Sequence, residues 1–230
     1  DYAKLGEYYA LSMGTLASHS GTVTTLPVKD YVAGLAGRFT NVVYVGSTYD
    51  EPLPRAFIDD ALTGNIPVMW TGFNIWQLTK TDADRTAFTQ RYGWDAATSY
   101  IDSTDRVTRI SYNGASLKRN ELNSGGIIAP HIIREKDVTV LGRAECSKPD
   151  GVATACASVA QSGTTSFPWA VSSSGLTFIG EIPLTYLGEQ DRYIAAADIL
   201  LDFLQPGAQQ LRQAAVRLED VTPDSDPEEL

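Results

Sequence analysis

The sequence predicts an α/β fold: a parallel sheet with an antiparallel β insertion. Three observations carry this reading. The first is Asn41-Val42-Val43-Tyr44-Val45-Gly46, a short apolar, β-branched run that ends in glycine, as buried parallel strands do. The second is a similar run, Ile66-Pro67-Val68-Met69-Trp70, ending at Thr71-Gly72 and preceded by a helical pattern from Arg55 to Leu62. Strand, helix and strand at this spacing make a βαβ unit. The third is a change of character from Thr98 to Gly180, where short apolar runs are separated by turn residues.

The elements follow in order. Leu5, Tyr8, Tyr9, Leu11 and Leu16 recur at helical spacing, which predicts a helix over Leu5–His19. A short strand over Val23–Val28 and a helix from about Lys29 to Arg38 are expected next. After the first buried strand, Arg55–Leu62 reads as a helix with Gly64 near its C-terminal end. The insertion, residues 98 to 180 or so, holds the runs Val107–Tyr112, Gly126–Ile133, Val138–Arg143, Phe167–Val171 and Leu176–Ile179. Asn113-Gly114 is a hairpin turn signal between strands. Tyr193, Ile194, Ala197, Leu200, Leu201 and Leu204 make an amphipathic helix of Asp191–Leu204, which Pro206-Gly207 stops. Ala214–Leu218 reads as one more buried strand, and its far end is Glu219-Asp220.

Composition narrows the function classes. The chain has 230 residues, 43% of them apolar, and 18 basic against 28 acidic side chains for a net charge of −10. That is too apolar for disorder and too acidic for non-specific nucleic-acid binding. No apolar run approaches the roughly 20 residues of a membrane-spanning helix. No leader is present, and a start at Asp1 rather than Met is compatible with a removed one. Cys146 and Cys156 flank Ser-Lys-Pro-Asp-Gly-Val-Ala-Thr-Ala, whose Lys-Pro-Asp-Gly is strong turn chemistry. A tight reversal there brings the two cysteines within disulfide range, which points to an exported, periplasmic or extracellular protein. The alternative is a pair of reduced thiols in a surface loop. Two thiols with no nearby His are only half a zinc ligand set.

Ligands of open α/β sheets bind beyond the carboxyl ends of the parallel strands. Four segments reach that edge: Gly46–Pro52, Gly72–Trp76, Glu181-Ile182-Pro183 and Glu219-Asp220. They pool carboxylates (Asp50, Glu51, Glu181), the amide of Asn74 and the rings of Tyr49 and Trp76. Acids beside aromatic rings suit sugar hydroxyls and apolar sugar faces. The same residues also shape ordinary loops; Asp50 and Glu51 stand just before Pro52. The inventory argues against a self-contained Ser or Cys hydrolase. The only imidazoles are His19, placed to cap a helix end, and His131, in an apolar stretch, and no Gly-x-Ser-x-Gly elbow exists. No phosphate loop and no Gly-x-Gly-x-x-Gly after a strand occurs. Any metal would be bound by carboxylates near Glu219-Asp220.

Arg217-Leu218-Glu219-Asp220-Val221-Thr222-Pro223 resembles the opening motif of a bacterial family of polysaccharide-deacetylase-like proteins, remote relatives of the NodB-homology carbohydrate esterases. Tyr44–Pro54, Val68–Leu78 and Ile179–Pro183 are similar to what precedes that motif in the family, so the resemblance covers most of the chain. It implies a flavodoxin-like or class I amidotransferase-like accessory domain over residues 1–210, and the start of a deacetylase barrel over 211–230. By position, Glu219 matches the catalytic base and Asp220 the metal-binding acid, although the usual pair is Asp-Asp. The His-x-x-x-His and the later acid of the family are not in this chain. The resemblance therefore implies covalent continuation into the barrel, a zinc-like divalent metal only in the full-length protein, and no cofactor here.

Three readings follow. The chain is an accessory domain of an exported deacetylase-like protein that removes acetyl groups from amino sugars, inert alone. Or it is a module binding carbohydrate, such as cell-envelope polysaccharide, or a partner, through Tyr49, Asp50, Asn74 and Trp76. Or it is a glycoside hydrolase pairing Asp50 with Glu181, which requires the carboxylates about 5–9.5 Å apart.

Overall fold

The computed structural model describes residues 2–101, 107–119, 125–148, 150–156, 163–185, 188 and 190–208. The expected strand at Ala214–Leu218, the pair Glu219-Asp220 and the domain expected at 211–230 lie outside these residues. Along the described chain run α1 (Tyr2–Ala17), β1 (Val42–Gly46), α2 (Arg55–Thr63), β2 (Val68–Gly72), α3 (Asp82–Tyr92), β3 (Trp94–Ile101), β4 (Val107–Tyr112), β5 (Ala115–Lys118), β6 (Ile127–Ile132), β7 (Thr139–Cys146), β8 (Ser166–Ser173), β9 (Leu176–Ile179) and α4 (Tyr193–Leu204).

Among the described residues, seven strands form one sheet in the order β1-β2-β9-β8-β7-β4-β5. β1 pairs parallel with β2, and β2 parallel with β9. From β9 onward every neighbour is antiparallel. The α/β fold with a parallel sheet and an antiparallel extension is thus the one the sequence predicts. β9 belongs to both parts. It closes a hairpin with β8 and completes the parallel trio. The remaining strands, β3 and β6, form a separate antiparallel pair rather than joining the main sheet.

The pleat divides the buried residues into two cores. Val68 and Trp70 of β2, with Leu176 and Phe178 of β9, face α2 and α3 through Phe57, Ile58, Leu62 and Phe88. Met69 and Ile179 point the other way, toward Tyr9 and Met13 of α1 and Ala195 and Ile199 of α4. Such strands, apolar on both faces, are what a parallel sheet sandwiched between helices requires. The rings of Phe57 and Trp70 stack at 5.6 Å, and those of Trp94 and Phe178 at 5.2 Å.

Two expectations fail. Val23–Val28 is not a strand: Val23 and Leu26 are exposed and, among the described residues, no neighbour pairs with the segment, whose Pro27 has no N–H to offer. The helix expected from Lys29 to Arg38 is instead two 3-10 turns, Val28–Asp30 and Ala36–Arg38. Gly34 stands between them at φ +76°, a left-handed conformation that interrupts a helix. The sequence reading also passed over α3, although its signals are present. The Thr81 hydroxyl accepts from the Asp84 N–H at the start, and Gly93 ends the helix at φ 77°. Across α2, Arg55 clamps Asp84 with two bonds of 2.7 and 2.8 Å, holding that carboxyl below its usual range.

Cys146 and Cys156 are joined, with an S–S distance of 2.07 Å and Cα atoms 5.4 Å apart. The bridge ties the last residue of β7 to the connection toward β8, where the turn chemistry places it. Beside it is a cavity of about 220 Å³ lined by Arg109, Glu145, Ser147, Thr165 and Ser166 among others, with no aromatic ring. No helix among the described residues is long and apolar enough to cross a membrane.

Candidate functional site

The carboxyl ends of β1, β2 and β9 meet at one edge, and two glycines let their loops converge there. A Cβ on Gly46 would lie 2.3 Å from the carbonyl oxygen of Phe73, so only glycine permits that approach. Gly72 sits at φ +76°, where a Cβ would lie 2.6 Å from the Ile182 side chain and 2.9 Å from the Gly46 carbonyl oxygen. Gly46→Ala is therefore expected to push the Phe73 segment away and to lower the thermal midpoint by several degrees. Melting followed by circular dichroism checks this; an unchanged midpoint would remove the packing argument.

Asn74 holds the corner from beneath. It is fully buried, sits at φ 75°, and its Nδ2 donates to the Thr48 carbonyl at 2.9 Å and the Tyr44 hydroxyl at 3.0 Å. Its Oδ1 is buried with no hydrogen-bond partner among the described residues. Gln77 adds a second clamp, donating to the Glu51 carbonyl at 2.7 Å and accepting from the Leu53 N–H at 3.1 Å. Two side-chain amides thus fix the loop after β1 against the turn after β2. Burial pushes the Tyr44 hydroxyl up to about 12; the Asn74 N–H opposes this and the Glu51 charge adds to it.

What the clamps present is aromatic. Tyr49 is 66% exposed, with its ring 5.6 Å from Phe73, edge to face, and 5.2 Å from Trp76. Trp76 is half-buried and its indole N–H donates to Asp50 Oδ1 at 3.3 Å. Asp50, at φ 54°, and Glu51 are both exposed. The sequence-predicted residues Tyr49, Asp50 and Trp76 therefore come together, and Asn74 supports them rather than facing a ligand. Phe73, Tyr44 and Gln77 were not foreseen. Phe73 lay inside a segment already singled out, whereas nothing in the sequence marks Gln77.

Glu181 is in a different setting from the one expected. It is 2% exposed and takes no part in an open edge. Its Oε1 accepts from Trp169 Nε1 at 2.8 Å and Arg192 Nε at 3.0 Å, and its Oε2 from Arg119 Nε at 3.0 Å. Arg192 also bonds Asp191 at 3.0 Å and Thr185 at 2.9 Å, while Arg119 reaches the carbonyls of Val107 and Gly125. Two guanidinium groups and two carboxylates balance in the interior. Burial by itself raises the Glu181 pKa, but the charges of Arg119 and Arg192 and the Trp169 N–H outweigh it, holding the carboxyl below its ordinary value. This carboxylate is an interior tie, which removes the pairing of Asp50 with Glu181 as a hydrolytic dyad: a general acid needs a raised pKa and access to substrate.

His131 is exposed on β6, opposite Asp95 in the register, rather than in an apolar setting. His19 bonds the Thr15 carbonyl at 3.1 Å just past α1, as a cap does. Among the described residues no three His, Cys, Asp or Glu side chains gather as a metal site. Glu219 and Asp220 lie outside them.

No family model, curated protein or solved structure matches the chain.

Proposed function

We propose that this domain is the carbohydrate-binding companion of an exported polysaccharide-deacetylase-like protein, holding a sugar chain at the corner formed by Tyr49, Phe73, Trp76 and Asp50. The observation that carries the reading is the exposed ring of Tyr49, set against Trp76 and Phe73 on a loop pinned by two buried amides. Rings fixed in this way offer apolar faces at little entropic cost, and a carboxylate beside them accepts hydroxyl hydrogens. The deacetylase context rests on the resemblance of Tyr44–Pro54, Val68–Leu78, Ile179–Pro183 and Arg217–Pro223. The disulfide supports an oxidising, periplasmic or extracellular compartment. Any catalytic metal would belong to the barrel that the resemblance places after residue 210, with Glu219 as base and Asp220 as metal ligand.

A tryptophan titration tests the binding reading. Trp70, Trp94 and Trp169 are fully buried, so a ligand-dependent change in indole emission reports Trp76. Saturable changes with cell-envelope oligosaccharides are expected, insensitive to chelator. Trp76→Ala should weaken binding about tenfold, by loss of one stacking partner, as read by calorimetry. Equal affinity in Trp76→Ala, or no binding across a broad oligosaccharide panel, would overturn it.

A further inference from the structure

The charge around the rings selects among sugars, and this step rests on the carbohydrate reading above. The two segments that build the corner, residues 46–52 and 72–76, contain Asp50 and Glu51 and no Lys or Arg. Both acids are exposed, and Asp50 is held beside the Trp76 indole by the 3.3 Å bond from its N–H. The neighbouring bases along the chain do not neutralise them. Arg55 is committed to Asp59 and Asp84, and Lys80 lies at the far end of the 3-10 turn Ile75–Thr79. The remaining surface of the corner is aromatic, and ring faces attract cations as well as apolar C–H groups. A neutral N-acylated sugar would use only the rings and a hydroxyl contact. A sugar bearing a protonated amine would use the rings, the carboxylate of Asp50 and the field of Glu51 together.

We propose that the corner takes a pyranose carrying a free, protonated amine in preference to its N-acylated counterpart. The ammonium group sits between the Asp50 carboxylate and the faces of Tyr49 and Trp76, and the apolar side of the sugar ring lies on the aromatic surface. Burial of Asn74 under the loop matters to this selectivity, because its bond to the Thr48 carbonyl holds the segment that leads into Asp50 beside the rings.

The probes are two β-linked tetrasaccharides of the same backbone, one of glucosamine and one of N-acetylglucosamine, titrated into the full chain by calorimetry. The free-amine probe is expected to bind about tenfold more tightly, the sum of one exposed cation–π contact and one exposed ion pair. The preference should fall toward unity in Asp50→Asn, and in about 1 M salt, where the screening length is only about 3 Å. Trp76→Ala keeps every charge and should weaken the free-amine probe about tenfold; retention at full strength would mean general attraction to an acidic surface and would overturn the proposal. Equal affinity for both probes, or tighter binding of the acetylated one, overturns the selectivity and leaves the carbohydrate reading standing. Binding of neither overturns both.

Discussion

Glu181→Gln is expected to be the most damaging single change in the domain, lowering stability by about 3–5 kcal/mol, the usual cost of stripping one partner from a buried ion pair. The substitution keeps the volume, so the loss is electrostatic: Arg119 and Arg192, 3% and 0% exposed, would both lose the carboxylate charge they bond, while Asp191 stays paired with Arg192. The pH dependence follows from the depressed pKa of Glu181 in the folded state. A group of this kind stabilises fully above its unfolded value, about 4.3 for Glu, and the contribution is lost as pH falls through the lower folded value. Urea denaturation at neutral pH should therefore separate wild type and variant widely, and the gap should narrow as the medium is made strongly acidic. A variant within about 0.5 kcal/mol of wild type at neutral pH, the range of ordinary surface changes, would refute the interior-tie role.

Removal of the disulfide comes second. In Cys146→Ala/Cys156→Ala the closed loop, ten residues in sequence separation, is released, and the chain-entropy relation gives a loss of about 3 kcal/mol. The denaturation midpoint should drop accordingly, while binding at the aromatic corner, built on other strands, should persist. Thiol labelling of the unfolded, unreduced protein is expected to find no free thiol, and two after reduction. Two labels without reduction would deny the bridge.

What the sequence revealed depends on where the information sits. Val68–Trp70 is buried on both faces and Val42–Gly46 is buried or half-buried along its length, so their apolar local composition alone marks them as parallel strands. The amphipathic pattern of Tyr193–Leu204 and the turn between Cys146 and Cys156 are local in the same way. Val23–Val28 has the composition of a strand, but a strand needs a partner, and none is specified by the segment itself. Glu181 was misplaced for a similar reason. Its neighbours Arg119 and Arg192 are 62 and 11 residues away, and nothing within the Glu181-Ile182-Pro183 stretch announces them. At the corner, Tyr49, Asp50 and Trp76 were legible because strand ends in such sheets always converge. The inward direction of Asn74 was not, since it follows from a left-handed backbone that the sequence does not display.

The position of β9 has a consequence for how the domain is made. β2 ends at Gly72, and its second parallel neighbour begins at Leu176, roughly 100 residues later. At about 5–20 residues per second, a ribosome needs roughly 5–20 s to supply that neighbour. Throughout this interval one side of Val68–Trp70, apolar and free of charge, has its backbone groups unpaired, which is the profile of a segment that recruits other strands. Contacts of such high sequence separation also slow folding once the chain is complete. The middle strand of the parallel trio thus waits on a distant partner and stays open to mispairing, and refolding yield should fall with protein concentration more steeply than native stability would suggest.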